Sequence, residues 1–205
     1  MSKLNYYLPM PISKLPSSIR HKYEVHEFRH AISILQIDFP DEYEDVIEVL
    51  DAFVLKRSDI LAPGGRKSFI SSAIDSELYS RGWIEHDFQT MLTIDGEEYY
   101  TPTHKVDCFK NRIALDVEWN NKDPFFDRDL NNFRLLHERN AISLGIIVTR
   151  CSSLQIIFHL LGKGASYGSS TTHMNKLLPR IKGGSGGGCP ILVFGISDNL
   201  YDSSL

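Results

Sequence analysis

Apolar and polar positions divide the chain into stretches of helical and of strand-like period. Residues 23–38 and 41–56 read as helices, and in the second Tyr43, Val46, Ile47, Leu50 and Val54 recur at three- and four-residue spacing. Pro63-Gly64-Gly65 breaks the chain, and a third helix is predicted over about 67–80, ending before Gly82. Asp95-Gly96, between 88–94 and 97–101, signals a hairpin. Two β-rich runs, 104–109 and 113–119, follow with Lys110-Asn111-Arg112 between them. Next come a helix over about 127–139 and a nearly all-apolar strand over 144–149. Ser152 or Ser153 is placed to cap a short helix over 153–161. A polar loop, a helix near 172–181, the glycine-rich run 183–188 (read as a mobile loop) and an apolar strand over 190–196 close the series. Continuous apolar strands alternating with helices predict an α/β fold, a central mixed β-sheet flanked by helices on both faces.

Size and charge refine this picture. With 205 residues, 42% of them hydrophobic, the chain can bury a full core and reads as one domain. No run approaches the roughly eighteen uncharged apolar residues needed to span a bilayer, so no membrane partner is expected. The first residues lack a secretory pattern, and three widely spaced cysteines suggest neither a disulfide framework nor a zinc site. A reducing cytoplasm is the expected location. The net charge of −4 is unevenly spread. Residues 1–103 hold 10 Lys+Arg against 17 Asp+Glu, whereas 104–190 hold 12 against 7. A basic half facing nucleic acid with an acidic half turned outward fits that split, as does an ordinary solvated acidic helix.

The chemistry concentrates in the centre. Strand alternation sends Asp116 and Glu118 to one face of 113–119, and Leu115, Val117 and Trp119 to the other. Asp107 interrupts the neighbouring apolar run. Carboxylates on the inner face of a core strand are costly unless a cation lies between them, and convergent hard oxygens suit Mg²⁺. The pattern alone fits a solvated edge with ion pairs equally well.

The ordered motifs narrow the choice. Asp107, then Asp116 and Glu118 across two adjacent runs, resembles the PD-(D/E)xK nucleases, with Val106 at the proline position and Glu118 at the lysine position. Those departures resemble the BamHI-like branch. Tyr23-Glu24-Val25, Arg81-Gly82-Trp83, residues 106–118, Ser166-Tyr167 and 190–196 are together similar to the BglII/BstYI-type type II restriction endonucleases, over about 20–197. The resemblance implies a restriction-endonuclease-like fold, with a catalytic core over about 67–197 behind a helical N-terminal part over about 20–60. It implies an enzyme that hydrolyses double-stranded DNA at a short palindrome, with a GATC-containing site and a 5′ overhang as the expected specificity and Mg²⁺ as cofactor. A homodimer and a cognate host DNA methyltransferase are its implied partners.

For the site, the resemblance implies that Asp107 and Asp116 bind the metal with the Val117 carbonyl, and that Glu118 orients or deprotonates the attacking water. Lys122 offers the missing positive charge, a phosphate contact, or a plain surface lysine. Ser71, Asp75 and Glu77 are alternative helix contributions. DNA contacts are expected from Arg66 and Lys67 at a helix start, and from Ser166, Tyr167, Ser169, Ser170, Thr171, Thr172 and His173 in a loop dense in small hydrogen-bonding side chains. Arg180, Lys182 and the glycine run are candidates for backbone or subunit contacts. His26 and His30 lack a third metal ligand. Asp127, Arg128 and Asp129 open a helix and read as capping or phosphate contacts. Two rivals share the fold: a sequence-tolerant nuclease of repair or recombination, and a non-catalytic DNA-binding module.

Overall fold

The computed structural model describes residues 11–63, 67–102 and 104–204. Its centre is a six-stranded mixed sheet. The strands are β1 (Tyr23–Phe28), β3 (Ile84–His86), β6 (Val106–Lys110), β7 (Ile113–Glu118), β8 (Leu144–Arg150) and β9 (Ile191–Ile196), in the spatial order β1-β9-β8-β7-β6-β3. β7, β8 and β9 run parallel, while β1, β6 and β3 run antiparallel to their neighbours. Parallel neighbours need crossovers. α6 (Phe125–Glu138) links β7 to β8, and α7 (Gln155–Leu160) with α8 (Met174–Lys182) links β8 to β9.

Strand alternation builds two cores. Ile113, Leu115, Val117 and Trp119 face the same cluster as Ile146, Val148, Leu192 and Phe194, beneath α1 (Ser17–Lys22), α2 (Ala31–Asp38), α3 (Pro40–Ala52) and α5 (Phe69–Ser80). Ala114, Ile147 and Val193 face the other, where Phe126, Leu130 and Phe133 of α6 meet Met174 and Leu177 of α8. Helices therefore cover both faces of the mixed sheet, as the apolar strands foretold. Three smaller elements complete the chain. β4 (Gln89–Ile94) and β5 (Glu97–Pro102) form the expected hairpin, β2 (Leu55–Lys56) pairs with β10 (Tyr201–Asp202), and α4 is Arg57–Leu61. Among the described residues, no helix is long and apolar enough to cross a membrane.

Several sequence expectations are corrected. Residues 23–28 are not helical: they form β1, paired residue by residue with β9. Arg29 and His30 then adopt left-handed backbone (φ 58° and 59°) before α2 begins. The sheet edge offers a hydrogen-bonding partner that outweighs local helix propensity. His26 and His30 thus share no helix, and His26 instead meets Glu24 at 2.7 Å. α3 stops at Ala52, and Leu55–Lys56 turn to β2. Ser152 and Ser153 sit in a 3-10 turn before α7 and make no cap bond. The glycine run is a hydrogen-bonded turn packed on its surroundings: a Cβ at Gly186 would lie 2.4 Å from Ile191.

β8 and α6 pack closely. A Cβ on Gly145 would lie 2.3 Å from the buried ring of Phe133. Gly145→Ala therefore overpacks this contact and is expected to destabilise the fold by about 1–3 kcal/mol, read as a lower urea midpoint with an unchanged slope. An unaltered midpoint would show that α6 can be displaced at no cost.

Candidate active site

β6 and β7 pair from Lys110↔Ile113 to Cys108↔Leu115, where the regular ladder ends. Beyond that point side chains take over the bonding. The Asp107 N–H donates to Asp116 Oδ1 at 2.9 Å, and the Val117 N–H donates to Asp107 Oδ2 at 3.2 Å. Each carboxylate is thus fixed by the opposite strand's backbone, and Asp107 and Asp116 are brought together as the sequence suggested. Two residues on, Glu118 accepts from Asn121 Nδ2 at 2.7 Å and from Arg128 at 3.2 Å. Asp116 and Glu118 are both buried.

Helices on the two sheet faces complete the cluster. Ser68 caps α5 by accepting from the Ser71 N–H at 2.9 Å, and the buried Ser71 hydroxyl donates to the Val117 carbonyl at 3.4 Å. One turn on, buried Asp75 is ion-paired with Lys67 and accepts from Cys108 Sγ at 3.4 Å. From the other face, α6 contributes Asp129, which is buried and bound by Arg128 at 2.8 Å. Of the three helix candidates, Ser71 and Asp75 enter the site, while Glu77 lies exposed.

Asp129 and Arg128, which in the sequence read as capping or phosphate contacts, also belong to the cluster, together with Asn121. The signal was present: Phe126, Leu130, Phe133 and Leu136 form an apolar stripe, and Asp129 falls within it. An acid on the buried stripe of a helix is a site signal, whereas an acid in the first turn reads as capping.

The electrostatics follow from crowding. Burial pushes the Asp116 carboxyl well above the usual range, and repulsion from Asp129 and Asp107 adds to it. Burial likewise lifts Glu118 to about 9, reinforced by Asp129 and opposed by Asn121 and Arg128. Asp107 is raised by burial against the Val117 N–H and the charges of Lys67 and Arg128, and Asp129 by burial against Arg128. One oxygen, Asp129 Oδ2, is buried with no hydrogen-bond partner. The cluster is short of positive charge, and its donors are hard oxygens, which suits a hard divalent cation. Among the described residues, no three acidic, histidine or cysteine side chains form a metal cage by themselves. A fit therefore requires a main-chain oxygen and water beside two carboxylates, a mode common for Mg²⁺.

The expected DNA contacts divide. Arg66 lies outside the described residues. Lys67 is engaged by Asp75, and its charge also acts on Asp107. Lys122 is exposed and joins Thr171 through a backbone bridge. Ser166, Ser169 and Ser170 are exposed, and Thr171 and His173 are half-buried. Tyr167 and Thr172 are buried and serve the fold: Tyr167 stacks on Phe158 with ring centroids 4.0 Å apart, and the Thr172 hydroxyl accepts from the Asn121 N–H at 3.1 Å. Arg180 is held by Asp123 and Asp127.

The raised carboxyls fix the sign of a pH effect in metal-free protein. Glu118 binds its proton more tightly folded than unfolded. Its stabilising contribution is complete below the ordinary glutamate value of about 4.3 and is lost as pH rises through about 9. In EDTA, stability by urea melting should fall between pH 5.5 and 8.5, and Glu118→Gln should shrink that fall by about 1–3 kcal/mol. An equal fall in the variant would mean that Glu118 is not the titrating group.

A family model described as restriction endonuclease BglII/BglIII matches residues 23–196. Among curated proteins, none matches the chain.

Proposed function

This chain belongs to the BglII/BglIII restriction endonuclease family, a family of nucleases of double-stranded DNA, and on that footing we propose that it is a type II enzyme. In this reading it hydrolyses both strands at one short palindrome, with Mg²⁺ as cofactor. The observation that carries the proposal is the reciprocal anchoring of Asp107 and Asp116 across the end of the β6–β7 ladder, with Glu118 two residues further on. Burying so many carboxyls at one strand end is costly to the fold unless a cation lies among them.

Asp107, Asp116 and the Val117 carbonyl would hold the metal, which when bound supplies an acidified water and neutralises charge on the phosphate. The other roles belong to side chains. Glu118, oriented by Asn121 and Arg128, takes the proton of the attacking water. Burial gives it a high proton affinity, and extra positive charge in the cluster favours its ionised form before turnover. Ser71 steadies the Val117 carbonyl, and Asp129 holds Arg128 against Glu118. Lys67, tied to Asp75 beside Asp107, supplies the fixed positive charge that related nucleases draw from the lysine at the Glu118 position. Lys122, on the exposed bridge to Thr171, is assigned to a DNA phosphate. Exposed Ser166, Ser169 and Ser170, with Thr171 and His173, are assigned to the DNA surface. A homodimer matches a palindrome by symmetry, and a methyltransferase protecting the host genome is its functional counterpart. A GATC-containing site with a 5′ overhang is the specificity we expect.

Digestion of phage DNA with and without Mg²⁺ tests this directly. Discrete fragments are expected with Mg²⁺, none in EDTA, and a loss of at least about 100-fold in Asp107→Ala and Asp116→Ala. A metal-dependent smear would replace the site-specific reading with a sequence-tolerant nuclease, and no cutting across varied DNAs would leave a binding protein.

The two lysines are separable. Lys67→Met should slow single-turnover cleavage about 10- to 100-fold while leaving DNA affinity nearly unchanged. Lys122→Ala should instead lower the salt dependence of binding by about one phosphate contact. The reverse pattern would move the charge role to Lys122.

A further inference from the structure

Arg150 ends β8 in an unusual state for an arginine. It is only 1% exposed, and among the described residues no ion pair joins it to a carboxylate. Its guanidinium donates to the Tyr167 carbonyl at 3.2 Å and the Thr171 hydroxyl at 2.8 Å, and lies 5.4 Å from the Phe158 ring centre. Nε is buried with no hydrogen-bond partner. A buried charge without a counter-ion is costly, and neutral carbonyls and rings offset that cost only in part.

The guanidinium lines a cavity of about 540 Å³ on the sheet face opposite Asp116 and Glu118. Ser152, Gln155 and His159 form one wall, and Ser169, His173 and Asn175 another. Each of these side chains can donate a hydrogen bond, and no acid lines the cavity among the described residues, in a chain whose net charge is −4. His173, whose Nδ1 lies 3.3 Å from the Ser152 hydroxyl, is held below its usual pKa by burial, then by the charges of Arg150 and Lys176, opposed by Asp123 and a Ser169 backbone bond. The cavity is thus rich in donors and carries the uncompensated charge of Arg150 in its wall.

It also lies at the same strand ends as the carboxylate cluster. Thr149, immediately before Arg150, pairs with Glu118, and its hydroxyl donates to the Glu118 carbonyl at 2.9 Å. The loop that forms the second wall is bonded to the residues following β7 through Asn121 and Thr172.

We propose that this cavity receives one phosphate of the bound DNA backbone, with Arg150 as its buried counter-charge and His159, His173 and Ser152 as donors. The inference rests on the reading of the chain as a DNA-cutting enzyme, and makes Arg150 a positioning residue that sets where the duplex lies. A tetrahedral oxyanion supplies both the charge and the acceptors the cavity is short of, and arginine suits phosphate recognition better than lysine does.

Two measurements on the full chain in EDTA decide it. In the first, inorganic phosphate is titrated in while the ring resonances of His159 and His173 are followed, with chloride at equal ionic strength as control. Both rings should shift saturably, and His159→Ala should weaken the response of His173 several-fold. In the second, duplex affinity is measured against salt concentration, where Arg150→Met should lower the slope by about one. If Arg150→Met does not fold, His159→Ala and Ser152→Ala, both outside the core, replace it and are read as a several-fold loss of duplex affinity at fixed salt. Rings that respond no more than to chloride would overturn the proposal. A phosphate response with an unchanged DNA slope would assign the cavity to free phosphate and overturn it as a DNA contact. Absence of any duplex binding by the unaltered protein would remove the nuclease reading itself, an outcome distinct from intact binding with an unchanged slope.

Discussion

Carboxyl groups buried where two strands part company are the constraint on which this architecture turns. Asp107 and Asp116 stand in for the ladder bonds that β6 and β7 no longer make, so the charged groups also hold the strands together. That dual use has a cost. Asp116, Glu118 and Asp129 lie together under α6, and their mutual repulsion is only partly relieved by Arg128. The apolar packing of α6 on β8, with Phe133 against Gly145, supplies the stability that offsets it.

The two sheet faces divide the work. Beneath α5, Ser71 bonds the Val117 carbonyl, and the acid Asp75 arrives already ion-paired with Lys67, whose charge also favours ionised Asp107. From the α6 side comes a further acid with its own arginine. One side steadies the backbone while the other sets the proton balance.

Much of this was legible in the residues, and the failures have physical causes. The acids of β7 stood out because strand alternation leaves no other face for them, and the apolar runs of β8 and β9 announced a covered sheet. β1 was misread because Tyr23–Phe28 is short and its partner, β9, lies some 170 residues away, beyond the reach of local periodicity. Asp129 was hidden by its place two residues after Asp127, a first-turn acid of α6 that reads as a cap. Tyr167 and Thr172 looked like loop residues, since nothing local reveals that Phe158 and Asn121 draw them inward. Arg150 closes an apolar strand where a solvated arginine is unremarkable, and its burial depends on a loop that arrives later in the chain.

That later loop is not a free appendage. Residues 163–173 are bonded to the segment after β7 by the Lys122–Thr171 bridge, by Asn121 with Thr172, and by the Asp123 N–H to the Ser170 carbonyl. Tyr167 roots the loop in the core. For protein engineering, the unit of exchange between relatives is therefore the loop together with residues 119–123 and Arg150. A loop grafted alone would arrive without its moorings, and an inherited change in the loop would have to travel through both segments at once.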